Sequence, residues 1–550
     1  MPKNILIAVV TMLMSAGMTG AASADLVISK KNTANVDCDA GICNATAADA
    51  VLNVKDLANM LAASDVKVFA EGPATDITVS APLRWVSANR LTLGAYGSLN
   101  VKAAVAIAGP GGLTIVTNVA GSGGAFRLIG TGEISFWDTA SSLVINNAAY
   151  TLVNSLPALI AAIAANPSGT YALANGYDAR QDGNYPFSPI PTTFTGIFEG
   201  LGNTIDNLSI YNSNPVNEDV ALFSELGAGG QISDLNLADV SMQVYSGYLA
   251  PLVGVNNGKV VHASAGGAIS ALVGSNWSSA GLVYDNEGTI TRSHAAVNMT
   301  GNVLGAGGLV AVNQGAISFS SASGSVSSSV YSGGLVAVSA GTITDSYAQG
   351  GVTVSSDEDA EAGGLVGIFS GTILRCFATG AVQGGTADPA GKAMSHTAGK
   401  LPGISLGGLV GSSNGNIQYA YASGRVTGEG SRQARHSVLG GLVGQAYASS
   451  VFQSYALSSV NLNGKKFLGG VIGADDGSSN DAAYWDLDTS GIENPAQGAG
   501  NVYDDSGLKG FDDKSFRRAA MRNLDPAVWA EDAKINNGYP YLIANPPPRK

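Results

Sequence analysis

One four-residue phrase limits what this chain can fold into. Gly-Gly-Leu-Val stands at 307–310, 333–336, 363–366, 407–410 and 440–443. Looser copies stand at 251–254 (Pro-Leu-Val-Gly), 280–283 (Ala-Gly-Leu-Val) and 469–473 (Gly-Gly-Val-Ile-Gly). Measured at the Leu position, the steps are 30, 27, 26, 30, 44, 33 and 29 residues. Two further phrases keep phase with it. Gly-x-Ile recurs at Gly288–Ile290, Gly315–Ile317, Gly341–Ile343, Gly371–Ile373 and Gly415–Ile417. A Ser-Tyr-Ala-like triplet follows at Ser293-His294-Ala295, Ser346-Tyr347-Ala348, Cys376-Phe377-Ala378, Ala420-Tyr421-Ala422 and Ser454-Tyr455-Ala456. Most repeats close on Gly-x-Val, as at Gly350–Val352 and Gly380–Val382.

Each repeat therefore holds about three short runs rich in Val, Ile and Tyr, divided by Gly and Asn. Runs of this length and composition are strands rather than helices. A single repeat cannot bury its apolar face, whereas stacked repeats can. The period is too short for a propeller blade, which takes about 40–50 residues. The expectation is an all-β, right-handed parallel β-helix with about 26–30 residues per rung. Short helical caps and a C-terminal capping segment complete it.

The phrase Gly-Gly-Leu-Val-Gly, followed by Asn-x-Gly-x-Ile and Ser-Tyr-Ala, resembles the GLUG repeat of bacterial surface proteins. The flanks are similar to filamentous-haemagglutinin-type adhesins and exoproteins. Their rungs are matched by Ala81-Pro-Leu-Arg-Trp85 with Leu91-Thr-Leu93, and by Phe198-Glu-Gly-Leu-Gly-Asn-Thr-Ile-Asp-Asn-Leu208. Asp525-Pro-Ala-Val-Trp529 and Ile535-Asn-Asn-Gly-Tyr-Pro-Tyr-Leu542 resemble their closing phrase. The resemblance implies non-catalytic, β-helical binding surfaces outside the cell. It departs from those families at the end of the chain, where Pro546–Lys550 lacks the alternating pattern of a translocating barrel.

The N-terminus carries an export address. Lys3, the apolar stretch Ile5–Met18 and Ala22-Ser23-Ala24 before Asp25 form a secretory signal peptide cleaved after Ala24. No later run reaches the ~18 apolar residues of a membrane-spanning helix. The expected location is secreted or cell-surface, with the periplasm left open. Export makes a disulfide between Cys38 and Cys43 the expected state of that pair. Cys376 falls in the Ser slot of the repeat and reads as a buried small side chain. The expected divisions are a signal peptide 1–24, an N-terminal β-rich cap 25–145, a helix-braced segment 146–249, the repeat array 250–475 and a C-terminal cap 476–550. Leucine spacing predicts helices over Leu52–Leu61 and Leu152–Ile163, the second capped by Ser155 with Pro157 in its first turn.

Composition narrows the function. Charged residues make up only 13% of the chain, net charge is −13 and the pI about 4.7. An electrostatic grip on nucleic acid is excluded on that ground. There is no His-Glu-x-x-His and no phosphate-binding Gly-rich loop ending in Lys-Ser/Thr. Gly403-Ile-Ser405-Leu-Gly407 matches a nucleophile elbow in letters but precedes a repeat strand instead of a helix. Asp486-Leu-Asp488-Thr-Ser-Gly491 begins like a calcium loop, but Gln497 stands where the bidentate Glu belongs, so a capped turn is expected. His262 and His294 are expected in structural slots. No catalytic residue, metal or cofactor is assigned.

Three surface features remain. The Tyr347, Phe377, Tyr421, Tyr455 series should stack from rung to rung, most simply as an internal stack, with a glycan ladder as the alternative. Strand alternation predicts that one of two apolar rows faces outward: Leu282, Leu309, Leu335, Leu365, Leu409 and Leu442, or their Val neighbours. Such a stripe would need a covering segment or self-association. The corner before each Gly-Gly-Leu-Val carries the length variation. It holds Asp357, Glu358, Asp359 and Glu361, then Lys392, His396 and Lys400, then Arg432, Arg435 and His436, then Lys465 and Lys466. Insertions of this kind gather on one face of a solenoid. These twelve residues are the expected ligand-binding set, toward a cell-surface or extracellular glycan or protein. The alternatives are a β-helical polysaccharide lyase or glycosidase, for which the 357–361 carboxylates are the candidates, and a structural component of biofilm or envelope.

Overall fold

The structure, a computed structural model, describes residues 25–548. Positions 120, 122, 214–218, 246, 272–274, 302, 356–358, 386–402, 430–436 and 464–465 are excepted. The expected signal peptide lies outside the described residues. No described helix is long and apolar enough to cross a membrane. The chain is a parallel β-solenoid of about 15 turns and divides into two compact units.

The first unit comprises residues up to Glu133 together with Ser141–Ala149. Its strands Asp76–Val79, Leu83–Trp85 and Arg90–Ala95 pair in parallel with Leu99–Val101, Val105–Ile107 and Gly112–Val116 one coil later. Strands Val36–Asp39 and Ile42–Ala45 form an antiparallel hairpin closed by the Cys38–Cys43 disulfide. The helix here is Val54–Ala63, two residues later than the leucine spacing suggests. Asn53 caps it by accepting from the Lys55 amide. Leu52 belongs instead to strand Val51–Asn53.

The second unit runs from Tyr150 to the C-terminus, with Ile134–Ala140 added. Its helix is Leu156–Ala165, again displaced because Leu152 lies in strand Ala148–Val153. Ser155 accepts from the Ala158 amide, and Leu156, Leu159 and Ile163 enter the main core. The Tyr171 hydroxyl closes the helix C-terminus, its single hydrogen shared between the Ala162 and Asn166 carbonyls at 2.8 and 2.7 Å.

From Val310 onward a repeat rung contains five strands, not three. In one rung they are Val336–Ser339, Thr342–Thr344, Tyr347–Ala348, Val352–Ser355 and Ala360–Gly363. Corresponding strands of successive rungs pair in parallel and in register, giving five sheets numbered here first to fifth in that order. The first three enclose the main core, which receives Leu335, Val336, Ile343 and Ala348. The fourth and fifth enclose a second, smaller core of Val352, Val354, Ala360, Ala362, Val382, Leu406 and Leu439. The sequence reading overlooked this lobe because its strands are rooted on turns of variable length.

The apolar stripe does not exist. Leu282, Leu309, Leu335, Leu365, Leu409 and Leu442 and the valines that follow them are all fully buried. Alternation fails because Leu and Val do not share a strand. The fifth-sheet strand ends at the first Gly (Gly333, Gly363) and the first-sheet strand starts at Val (Val336, Val366). Leu sits on the bend between them, so both side chains turn inward. The leucines keep their own ladder there, Leu335 N donating to Leu365 O at 2.9 Å and Leu365 N to Leu409 O at 2.8 Å.

Two polar ladders run through the core. The Nδ2 of Asn256 donates to Asn286 Oδ1 at 2.6 Å, that of Asn286 to Asn313 Oδ1 at 2.7 Å, and that of Asn313 to Ser339 Oγ at 3.0 Å. The Ser of each triplet forms the second. Ser293 N donates to Ser320 Oγ and Ser320 N to Ser346 Oγ, both at 3.1 Å. Each of these hydroxyls donates to the carbonyl two residues back, as Ser346 Oγ does to Thr344 O at 2.7 Å. Cys376 occupies the same column, fully buried, with burial pushing its thiol up to about 12.

Candidate functional site

The length-variable turns all arise between a fourth-sheet strand and a fifth-sheet strand. Their roots are stacked. Val352–Ser355, Val382–Gly385, Val426–Glu429 and Val460–Asn463 pair consecutively on one side. Ala360–Gly363, Ile404–Gly407, Ser437–Gly440 and Lys466–Gly469 pair consecutively on the other. A residue at one root is therefore about 4.8 Å from its counterpart in the next rung. The roots of these turns share one edge of the second lobe.

Of the twelve expected ligand-binding residues, Asp357, Glu358, Lys392, His396, Lys400, Arg432, Arg435, His436 and Lys465 lie outside the described residues. Lys466 is placed by its backbone, which pairs with Ser437. Asp359 and Glu361 are described, and they do different work. Asp359 Oδ1 accepts from the Gly403 amide at 2.7 Å and so braces the root of the longest insertion. Glu361 lies on the outward face of its strand, opposite the buried Ala360, in a column with Tyr331 and Ser405. Its carboxyl is held above the usual range by burial and by the nearby Asp359. The same column begins with Asp219 and Tyr248. Tyr248 stacks on Tyr284 of the first sheet, ring centroids 4.4 Å apart. Sequence reading missed these tyrosines because they sit outside the Ser-Tyr-Ala phase.

The motif letters resolve into structural roles. Ser405 donates its hydroxyl to Gly411 O at 2.8 Å, within a strand. Asp486 is an N-cap that accepts from the Asp488 and Thr489 amides, and Gly491 ends that turn in the left-handed region. Among the described residues, no group of three or more His, Cys, Asp or Glu is arranged to hold a metal ion. His294 occupies the aromatic slot, its Nδ1 2.9 Å from Ser321 Oγ. His262 does not. It sits at the corner before the triplet, in the left-handed region, hydrogen-bonded through Nδ1 to Asp234.

Behind that pair lies a buried carboxyl the sequence did not single out. Glu199 is nearly inaccessible, accepts from the Leu201 amide at 3.2 Å, and faces Asp234. Burial first, and Asp234 second, raise its carboxyl well above the ordinary value. His262 is raised by its hydrogen bond to Asp234. Both groups hold protons more tightly in the folded chain. Stability from Glu199 falls as pH rises above its unfolded value of about 4.3, and that from His262 is lost above about 6.5. Thermal unfolding should therefore occur at a higher temperature at pH 5 than at pH 8. Glu199→Gln should narrow that gap by raising the pH 8 midpoint about 2 °C or more. An unchanged gap in the variant would mean that Glu199 is not the titrating group.

The aromatic series stacks but is not internal. Tyr347–Phe377, Phe377–Tyr421 and Tyr421–Tyr455 have ring centroids 4.8, 4.9 and 5.1 Å apart and planes within 2°, 8° and 7°. Alternation puts the neighbouring Ala348, Ala378 and Ala422 in the main core, so the rings stand on the outer face of the third sheet. There the C-terminal segment covers them, through Phe516, Leu524, Trp529 and Leu542. A glycan ladder is ruled out by geometry as well as by cover. Each ring face is taken by the next ring, and a sugar needs a free face.

Comparison with known proteins adds little to this picture. No protein-family model matches the chain, and no curated protein matches it. Among solved structures it is similar to one described as IgA1 Protease, with a TM-score of 0.30 and 17% sequence identity. That similarity covers 65% of this chain and 24% of the other.

Proposed function

We propose that this chain is an exported, non-catalytic, adhesin-like β-solenoid of the GLUG-repeat kind that binds cell-surface or matrix glycans or proteins. One observation carries the reading: from Val310 onward five strands of each rung keep register while all large length variation is confined to one turn, rooted on one edge. A scaffold that holds its core constant and varies a single aligned edge is built for display. Secretion after cleavage at Ala24 belongs to the same proposal.

The test is to pass residues 25–550 over a panel of acidic and neutral polysaccharides, scoring retention and chain cleavage separately. Retention without cleavage is the expected result. Neutralising Lys392, Lys400, Arg432, Arg435, Lys465 and Lys466 together should weaken binding at least on the order of tenfold, because six rim charges contribute ~0.2–1 kcal/mol each. Cleavage of any polymer would instead favour the lyase or glycosidase reading. Absence of both would favour a protein receptor or a structural envelope role.

A further inference from the structure

The C-terminal segment runs backward along the solenoid. After the last solenoid strand, Leu508–Phe511, helix Asp513–Asn523 begins beside Asp488, whose Oδ2 accepts from the Asp513 amide at 2.8 Å. Phe516 then meets Tyr455, ring centroids 5.6 Å apart, and Trp529 meets Tyr455 and Tyr421 at 5.4 and 6.2 Å. Asn536 Nδ2 donates to the Tyr455 hydroxyl at 2.9 Å, and that hydroxyl donates to Pro540 O. Finally Asn545, itself buried, donates to Arg375 O at 3.0 Å and to Ser346 O at 3.3 Å. Asn545 thus lies several rungs behind the point where the chain left the sheet.

The track and the segment match in extent. The covered column reads Tyr347, Phe377, Tyr421, Tyr455, Tyr484. In the preceding rungs the same column is Ser264, His294 and Ser321. Rings begin where the segment's last anchor lies. The segment adds no strand to the solenoid from residue 513 onward; its one strand pairing among the described residues is its own, Trp529–Ala530 with Tyr541–Leu542. It is held by side-chain packing and isolated hydrogen bonds. Beneath it the Tyr421 hydroxyl and Trp529 Nε1 are buried without partners.

We infer that residues 513–545 form a strap that yields before the solenoid when the C-terminus is pulled. Tension on Lys550 reaches Asn545 first and then Leu542, Trp529 and Phe516 in turn, so the strap's contacts break one after another. A rung instead resists through a row of ladder hydrogen bonds loaded together. Release frees about 30 residues, roughly 100 Å of extended chain, while every inter-rung pairing stays intact. The strap is therefore a built-in extensible element, and the ring column is its dock.

Single-molecule stretching of the full chain tests this with two handle positions. One handle is fixed at the N-terminus. The other is placed at Lys550, or at Ser479→Cys, an exposed position in the terminal rungs beyond which the strap carries no load. Cys376 is buried and does not compete for the handle. With the Lys550 handle, the first C-terminal event should lengthen the chain by roughly 100 Å, reverse on relaxation, and be missing with the handle at 479. Trp529→Ala should shorten the docked lifetime at constant force on the order of a hundredfold, or abolish the event. Asn545→Ala should shorten it less and leave the step length unchanged. The inference is overturned if the event appears with both handles, if no step of that length precedes rung release, or if neither variant changes its lifetime.

Discussion

Gly363→Ala is expected to destabilise the repeat array by about 3 kcal/mol or more, although it adds a single methyl group. The chain bends at this residue into Leu365 and Val366. An added Cβ would overlap the Val366 carbonyl oxygen and lie 2.7 Å from both Gly411 N and Leu409 O. All three obstacles are backbone, two of them in the next rung, so no side-chain rotation relieves the overlap. Gly333 meets Val336 O and Gly367 N, and Gly407 meets Val410 O, Gly444 N and Leu442 O, so the penalty belongs to the corner and not to one copy. Gly351→Ala is the matched control. Its Cβ would meet nothing nearer than Ala381 O at 3.9 Å. Thermal unfolding of the two variants should separate them clearly, Gly363→Ala losing soluble yield or several degrees and Gly351→Ala staying near the parent. Equal behaviour would mean that the corner relaxes and that the repeat phrase is not explained by backbone contact.

Asn286→Leu is expected to cost about 2–5 kcal/mol despite placing an apolar residue in an apolar core. Asn286 is fully buried and makes one bond in each direction along the ladder. Its removal leaves the Asn313 Oδ1 acceptor facing hydrocarbon and the Asn256 Nδ2 donor with only its long 3.4 Å bond to Thr289 O, and each stranded group costs ~1–3 kcal/mol. Asn256 keeps its bond from the Gly258 amide through Oδ1, so the loss is confined to the ladder itself. Replacing Asn256, Asn286 and Asn313 together by leucine should cost less than three times the single change, because most of the stranded partners disappear with them. Denaturant unfolding of the single and triple variants measures the difference. Strict additivity would refute the ladder as a cooperative unit.

The resemblance to a repeat family and the physical reading of the phrases agreed on architecture, and the paired rungs bear that architecture out. The disulfide Cys38–Cys43 and the burial of Cys376 were also legible, the first from a close pair behind an expected export address and the second from its place in a serine column. The candidate site was legible only as a location. Asp359 and Glu361 stand two apart in sequence, a spacing that puts both on the same side of the alternation with Ala360 between them, yet one braces a neighbouring turn and the other leans toward the first sheet. Nothing in the order of residues distinguishes those roles. Glu199, Asp234 and His262 are spread over three rungs, and only stacking makes them neighbours.

Sequence by itself determined the rung. Its length, the residues that turn inward as Ile, Val and Ala, the glycines that permit the bend and the column shared by Ser293, Ser320 and Ser346 all follow from local periodicity. Tertiary structure decided what covers what. The Leu and Val rows are both interior because a bend separates them, and an alternation rule sees only an unbroken strand. The aromatic rings are buried because a segment some hundred residues further along returns to lie on them. Periodicity reports which face a residue occupies within its own rung. Whether that face meets water depends on the path of a distant part of the chain, and local spacing carries no record of it.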